Sequence, residues 1–179
     1  MSHRQQRAFC LQMKERFPDY FSDVKVLDVG SLDINGSNRG LFEDCDYTGI
    51  DLEEGKNVDV VSCCHEFSSD SEIFDAIIST ECFEHDMHVE ESLKSIVRML
   101  KKGGLFVFTC ASARRPEHGT KRSKPEHSPF TVKREGWDGY YRTLKPEDVE
   151  QMIDLNVFSD HQFIVTRRRM DLQFWGIKR

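Results

Sequence analysis

Apolar residues recur along this chain in two rhythms. The first is a set of short, dense runs: Val24, Val26, Leu27 and Val29; Tyr47 to Leu52; Val58 to Ser62; FDAIIST from Phe74 to Thr80; and, after a Gly-Gly turn, LFVFT ending at Thr109. Runs rich in β-branched and aliphatic residues that do not alternate with polar ones predict parallel strands buried on both faces. The second rhythm is helical. Ala8, Leu11, Met13 and Phe17 mark a helix over roughly residues 3–17, and Leu93, Ile96, Val97 and Leu100 mark another from about Val89 to Leu100. Pro146 suits the first turn of a third helix that runs to Asp154. Ser37 to Phe42 is too short for a long helix, so the first crossover is abbreviated. Val157 to Val165 and Met170 to Ile177 predict a terminal hairpin, with one strand antiparallel to the others. This alternation of strands and connections predicts an α/β protein built on an open, mostly parallel sheet with flanking helices.

Composition narrows the class. The 179 residues suit one domain with a sizeable core, here expected over 1–179, and 38% hydrophobic with 31% charged residues describe a soluble globular chain. No apolar run approaches the ~20 residues that span a bilayer. The opening MSHRQQRAFCLQMKERF is mixed and charged rather than a signal peptide, so the expected location is cytoplasmic. The six cysteines (Cys10, Cys45, Cys63, Cys64, Cys82 and Cys110) contain no C-x-x-C pair, and most lie beside apolar runs, so buried reduced thiols are expected. A net charge of −6 argues against avid nonspecific nucleic-acid binding. Oligomeric state is not readable.

Candidate chemistry begins at KVLDVGSLDINGS, Lys25 to Ser37, where a strand-like run ends in an acid and breaks into glycine and small polar residues. Gly30 and Gly36 allow a ligand to lie close to the backbone, and the segment that follows offers unpaired N–H groups. Asp51 closes the second run about 20 residues on, where an acid can bind ribose hydroxyls. The two acids together resemble the cofactor site of class I S-adenosylmethionine-dependent methyltransferases (type 11-like). Asp28 discriminates, because nicotinamide-binding turns usually carry glycine there, and a carboxylate suits a cationic sulfonium with an amino-acid tail. Leu32 and Ile34 replace the later glycines of D-x-G-x-G-x-G, and Gly36 restores the turn in a longer loop.

The resemblance covers Lys25 to about Ser112 and implies a Rossmann-like, mostly parallel seven-stranded sheet with an antiparallel C-terminal strand. It also implies S-adenosyl-L-methionine held by Asp28, Gly30, Ser31 and Gly36 after the first strand and by Asp51 and Leu52 after the second. Ser62 and Cys63 would serve the adenine, where many relatives carry an aspartate. Thr80 and Glu81 would lie beside the methionine part. Residues 1–22 form a leading helical segment that can help close the site.

After the fourth run comes STECFEHD, Ser79 to Asp86. Were Glu81 to His85 a helical turn, Glu81, Glu84 and His85 would share a face and could hold a divalent ion. The E-x-x-E-H string resembles the metal site of small-RNA 2′-O-methyltransferases, which also use a later histidine (His118 and His127 are available), and a similar string occurs in ubiquinone-pathway O-methyltransferases. Pocket lining is the commoner role, and no metal is assigned. His85 then faces the acceptor as a general base, its ordinary pKa of roughly 6.5 suiting the task, with His118 behind it. A histidine that only caps the turn or bonds Asp86 is the plain alternative.

Ala111 to about Lys145 lacks apolar periodicity, and loops this long are often lids or binding loops. Arg114, Arg115, Lys121, Arg122, Lys124, Lys133, Arg134 and Arg142 outnumber the local acids, which points to an anionic or polyhydroxyl acceptor met by Arg115, Tyr140, Tyr141 and Arg142. Trp137 and the tyrosines serve equally well as pins for the loop. Arg167, Arg168 and Arg169 read as a solvated turn, and Phe174 and Trp175 as packing. The function expected is methyl transfer to an O or N of a small-molecule acceptor. RNA 2′-O-methylation with a metal, and a non-catalytic nucleotide-binding module, are the alternatives; nucleic acid is the second-choice partner and a membrane is not expected. Asp28 disfavours a dinucleotide oxidoreductase.

Overall fold

The computed structural model describes residues 4–67, 70–166 and 170–179. Its elements are α1 (Arg4–Arg16), β1 (Lys25–Val29), β2 (Asp46–Asp51), β3 (Val60–Val61), β4 (Phe74–Thr80), α2 (Val89–Met99), β5 (Leu100–Ala111), α3 (Pro146–Met152), β6 (Phe158–Thr166) and β7 (Asp171–Lys178). One seven-stranded sheet runs in the order β3-β2-β1-β4-β5-β7-β6. β7 lies antiparallel to both β5 and β6, and the other pairs are parallel. The strand order reverses between β1 and β4, which opens a crevice at their carboxyl ends. The expected α/β sheet with an antiparallel terminal strand is borne out. No helix among the described residues is long and apolar enough to cross a membrane.

Successive strand residues point to opposite faces, and each face is closed differently. Leu27, Ile77, Phe106, Phe108 and Phe174 pack beneath Leu93 and Ile96 of α2 and Val149 of α3. Val26, Ala76, Ile78, Leu105, Val107 and Trp175 meet Phe9, Cys10 and Met13 of α1 on the other face. The buried stripe of α1 is therefore Gln6, Phe9, Cys10 and Met13, while Ala8 and Leu11 face solvent. The helix was expected, but its inner face lies elsewhere because Phe9 and Cys10 complete a tighter i, i+3, i+4, i+7 stripe.

Other boundaries move as well. The expected Gly-Gly turn is a bulge inside β5, between the pairs Phe74–Leu100 and Ala76–Leu105, with Gly103 at φ +76. β3 is only two residues long, and α3 stops at Met152. Between β1 and β2 the only helical element is the short 3-10 turn Arg39–Leu41, so the abbreviated crossover holds. The arginines at 167, 168 and 169 lie outside the described residues, and so does His3.

Candidate active site

At the carboxyl ends of β1, β2 and β4 lies a cleft of about 920 Å³, counted out to its open mouth. The turn leaving β1 forms its floor. Gly30 has φ +77, and a Cβ there would lie 2.7 Å from Cys82, so glycine is required by both conformation and space. The N–H groups of Gly30 and Ser31 both donate to the carbonyl of Ile50, which ties the turn to β2. Leu32 N–H then donates to Asp51 Oδ2 at 3.0 Å, and Leu52 N–H to Oδ1 at 2.8 Å. Each carboxylate oxygen keeps a further lone pair for a ligand.

Asp28 is buried, and its Oδ2 accepts from the Tyr47 hydroxyl at 2.7 Å. Burial pushes its carboxyl up to about 7, with Tyr47 acting in opposition and the Asp51 charge adding to the rise. Burial also raises Asp51. Two polar atoms in the wall, Ser31 Oγ and Asn38 Oδ1, are buried without partners. Asn38 Nδ2 donates to Thr80 Oγ1 at 3.2 Å. An unmet buried polar group costs about 1–3 kcal/mol, which a polar ligand in the cleft would offset. Carboxylates for hydroxyl or ammonium groups, unpartnered oxygens and a close-packed glycine turn fit a nucleoside with an amino-acid tail.

The turn after β4 departs from the expected helix. Glu81 takes φ +55, and the tight turn begins only at Cys82, whose carbonyl accepts from His85 N–H at 2.9 Å. Glu81 therefore diverges from its neighbours: Thr109 Oγ1 donates to its Oε1 at 2.9 Å and Arg115 to its Oε2 at 3.1 Å. Arg115 also pairs with Asp171 of β7. Glu84 is fully buried, and neither of its oxygens has a hydrogen-bond partner; nor has His85 Nδ1. His118 approaches from the long loop, with Nε2 3.8 Å from Glu84 Oε1. The three residues that cluster are thus Glu84, His85 and His118, without Glu81. Burial and the Glu81 charge push Glu84 up to about 8. Burial, then His118, holds His85 down at about 3, and burial lowers His118 too. Asp86 accepts from His88 N–H and Ser92 Oγ at the start of α2, not from His85.

The loop from 111 to 145 folds against this corner. His127, Ser128, Pro129, Phe130, Thr131 and Trp137 join the cleft wall. Gly55 leaves room for both Leu32 and Phe130, since a Cβ there would lie 2.5 Å from Leu32 Cδ1 and 3.2 Å from Phe130 Cζ. Leu32 and Ile34, which stand where glycines were expected, also line the cleft. Much of the loop's basic charge is matched: Lys121 by Asp138, Arg122 by Glu117, Lys133 by Glu53, and Arg142 by Asp148 at 3.6 Å. Tyr141 packs on His85 and His118 with ring centroids 5.7 and 5.1 Å away. Arg115, Tyr140, Tyr141 and Arg142 all lie outside the cleft lining.

Comparison with known proteins assigns the family. A family model described as a methyltransferase domain matches residues 1–163. The chain belongs to that family. With this, the resemblance to class I S-adenosylmethionine-dependent methyltransferases is borne out. Among curated proteins, none matches the sequence. The fold is similar to that of Burkholderia thailandensis 1,6-didemethyltoxoflavin-N1-methyltransferase, solved with its substrate and S-adenosylhomocysteine (15% identity, TM-score 0.66, 97% of this chain and 77% of that one). Haemonchus contortus phosphoethanolamine N-methyltransferase 2, solved with S-adenosyl-L-methionine, is similar at 16% identity and TM-score 0.67 over 96% of this chain and 52% of that one. This chain thus spans about half the length of the Haemonchus enzyme. A methyltransferase from Archaeoglobus fulgidus matches at 15% identity and TM-score 0.63, over 97% of this chain and 94% of its own.

Within this methyltransferase, every residue expected to hold the cofactor lines the cleft: Asp28, Gly30, Ser31 and Gly36, Asp51 and Leu52, Ser62 and Cys63, Thr80 and Glu81. His85 lines it as well, whereas His118 does not. Sequence reasoning missed Asn38 and Phe130, and named His127 only as a histidine available to the E-x-x-E-H string. A lone phenylalanine in a polar, basic loop was the available signal for Phe130.

Proposed function

We propose that the chain binds S-adenosylmethionine in the cleft between β1, β2 and β4 and transfers its methyl group to an oxygen or nitrogen of a small-molecule acceptor. One observation carries this reading: the Gly30–Leu32 turn hydrogen-bonds to Ile50 and Asp51, which places Asp28 and a fixed Asp51 carboxylate in one cleft with Glu81 and His85. In this reading Asp51 accepts from the ribose hydroxyls, while Asp28 and Asn38 Oδ1 provide acceptors for the ammonium of the tail. Ser62 and Cys63 border the adenine, and Phe130 with Leu32 forms its apolar wall. The bound cofactor supplies an electrophilic methyl on a sulfonium, so alignment of the acceptor accounts for most of the catalysis.

The walled cleft and the ion pairs that match much of the 111–145 loop's basic charge favour a small acceptor over nucleic acid. Residues 1–179 act as one methyltransferase domain, with 111–145 as the substrate-side loop. A base whose conjugate acid has a pKa of about 3 scarcely holds a proton at neutral pH, so His85 is a weak general base, and burial shifts His118 in the same direction. Calorimetry with S-adenosylmethionine, S-adenosylhomocysteine and NAD tests the reading. Binding of both sulfur nucleosides, lost in Asp51→Ala, is expected; binding of NAD alone would overturn it.

A further inference from the structure

We propose that the acceptor is a small, uncharged aromatic amine or nitrogen heterocycle, methylated on nitrogen and hydrogen-bonded by His85 at the β4 corner of the cleft. This deepens the methyl-transfer reading above and rests on it. The charge of the cleft wall is the first observation. Among the described residues, those that line the cleft include the acids Asp28, Asp51, Glu81 and Asp86 and neither a lysine nor an arginine. Recognition of a carboxylate or a phosphate ordinarily uses a guanidinium fork or an ammonium.

The basic side chains of the long loop are engaged elsewhere. Arg115 is bracketed by two carboxylates, Glu81 at 3.1 Å and Asp171 of β7, so its single charge is outnumbered. Arg134 Nη1 donates to Cys63 Sγ at 3.3 Å, and its guanidinium lies 5.2 Å from the Trp137 ring centroid. Arg114 and Lys124 are exposed and lie outside the lining. An anionic acceptor would therefore meet acids without a compensating cation from the wall.

His85 is the second, independent observation. It is only 5% exposed and lines the cleft, yet its Nδ1 is buried without a partner and the ring joins no hydrogen bond among the described residues. A neutral imidazole has one donor and one acceptor nitrogen to offer. Its neighbours hold the ring without saturating it. Gly119 has φ +64, and a Cβ there would lie 2.6 Å from His85 Cε1 and 2.8 Å from Ser128 Cβ, so bare backbone lets the loop seat Ser128 beside the imidazole. Tyr141 packs on both His85 and His118. His118 is committed to another group: Nδ1 lies 3.1 Å from the Pro116 carbonyl, which can only accept, so Nε2 carries the lone pair and faces Glu84 Oε1 at 3.8 Å. Burial raises Glu84 to about 8, so at neutral pH the proton of that pair sits on the acid.

The corner holds no strong base. Burial lowers His85, His118 and His127 alike, and Glu81 is held by Thr109 and Arg115. A hydroxyl must lose its proton as it reacts, and an aliphatic amine, like a lysine at roughly 10.4, arrives protonated and without a lone pair. An aromatic amine or an imidazole-type nitrogen keeps its lone pair at neutral pH. That pair forms the bond to the methyl carbon while the carbon–sulfur bond breaks, its electrons staying on sulfur, and any N–H proton of the resulting cation passes to solvent water. Pro129 and Trp137 add apolar wall suited to a flat ring.

The test loads the full chain with S-adenosylhomocysteine and titrates it by calorimetry, in mildly alkaline buffer, with aniline, imidazole and benzimidazole, each against the same ring bearing a carboxylate. At least one neutral probe should bind about tenfold or more tighter than its carboxylated partner, because like charges set together are costly. With S-adenosylmethionine in place of the product, mass spectrometry should find the methyl group on nitrogen. His85→Phe should weaken the neutral probe by about fivefold, the worth of one hydrogen bond, whereas His85→Asn, which keeps a donor and an acceptor, should retain most of the affinity. His127→Lys should raise the affinity for the carboxylated probe by up to about fivefold, as an ion pair open to solvent allows. A carboxylated probe that binds the unaltered chain as tightly as its neutral partner, or failure of all three neutral probes, would overturn the proposal. Unchanged affinity in His85→Phe, or equal loss in His85→Asn, would remove His85 from it. Absence of S-adenosylhomocysteine binding at the loading step would sink the methyl-transfer reading itself, whereas binding followed by preference for the anionic probes would sink only the acceptor class.

Discussion

Two carboxylates border the same corner of the molecule and are treated in opposite ways. Asp51, at the end of β2, is met by the backbone N–H groups of Leu32 and Leu52 at 3.0 and 2.8 Å. Glu84, in the turn after β4, is met by no donor, although its neighbour Glu81 has Thr109 and Arg115. The first acid is fixed by backbone bonds from the turn after β1 and from the residue that follows it. The second is completed from a distant loop, and the group that loop presents, His118, is another acceptor. A buried acid can thus be held by backbone donors at a strand end or left without a donor of its own.

The strongest challenge to this contrast is Arg115→Ala. Arg115 links Glu81 to Asp171 across the loop and β7, and removing one partner of a buried ionic group costs about 3–5 kcal/mol. Chemical denaturation should show that loss, whereas a change below about 1 kcal/mol would mean the β4 turn does not depend on the loop. Next comes pH. Asp28 has a folded pKa of about 7 against 3.8 for the free group, so its contribution is complete below 3.8 and is lost as pH rises through 7. At about 1.36 kcal/mol per unit, Asp28→Asn should gain on the unaltered chain by about 2–3 kcal/mol between pH 5 and 8, read from urea unfolding at each pH.

Gly30→Ala should follow, costing about 1–3 kcal/mol through its φ of +77 and its contact with Cys82. Pairing it with Cys82→Gly should recover the steric part and leave the backbone part, and a double-mutant cycle with no coupling would refute the contact. The smallest effect belongs to Phe130→Ala. Loss of one aromatic wall should weaken S-adenosylhomocysteine binding by roughly 1 kcal/mol, or about fivefold, with stability nearly unchanged.

The β1 turn could be read early because its constraints are local. Asp28, Gly30 and Asp51 sit where dense apolar runs end, and the bonds that fix them span few residues or join adjacent strands. Helix α1 was readable as a helix but not in its facing, since Ala8 and Leu11 are as apolar as residues that turned inward. Glu81 was misread for a backbone reason: helical spacing brings residues three and four apart together only while φ stays negative, and Glu81 is at +55. The loop's charge was overcounted because its acidic partners Glu53, Glu81, Asp148 and Asp171 lie in other segments.

Strand density, the glycine that must turn and the acid that follows it are properties of neighbouring residues, so the amino-acid order alone pointed to the sheet and the family and put Asp28, Gly30 and Asp51 at one rim. Which acid finds a donor depends on chain segments that meet only after folding. Asp171 lies 56 residues beyond Arg115, and Glu81 is 34 before it. Hydrogen bonds and ion pairs act over a few ångströms of space regardless of sequence separation. Tertiary structure alone therefore decided that Glu81 would be occupied, that Glu84 would stand bare, and that His118 would face it.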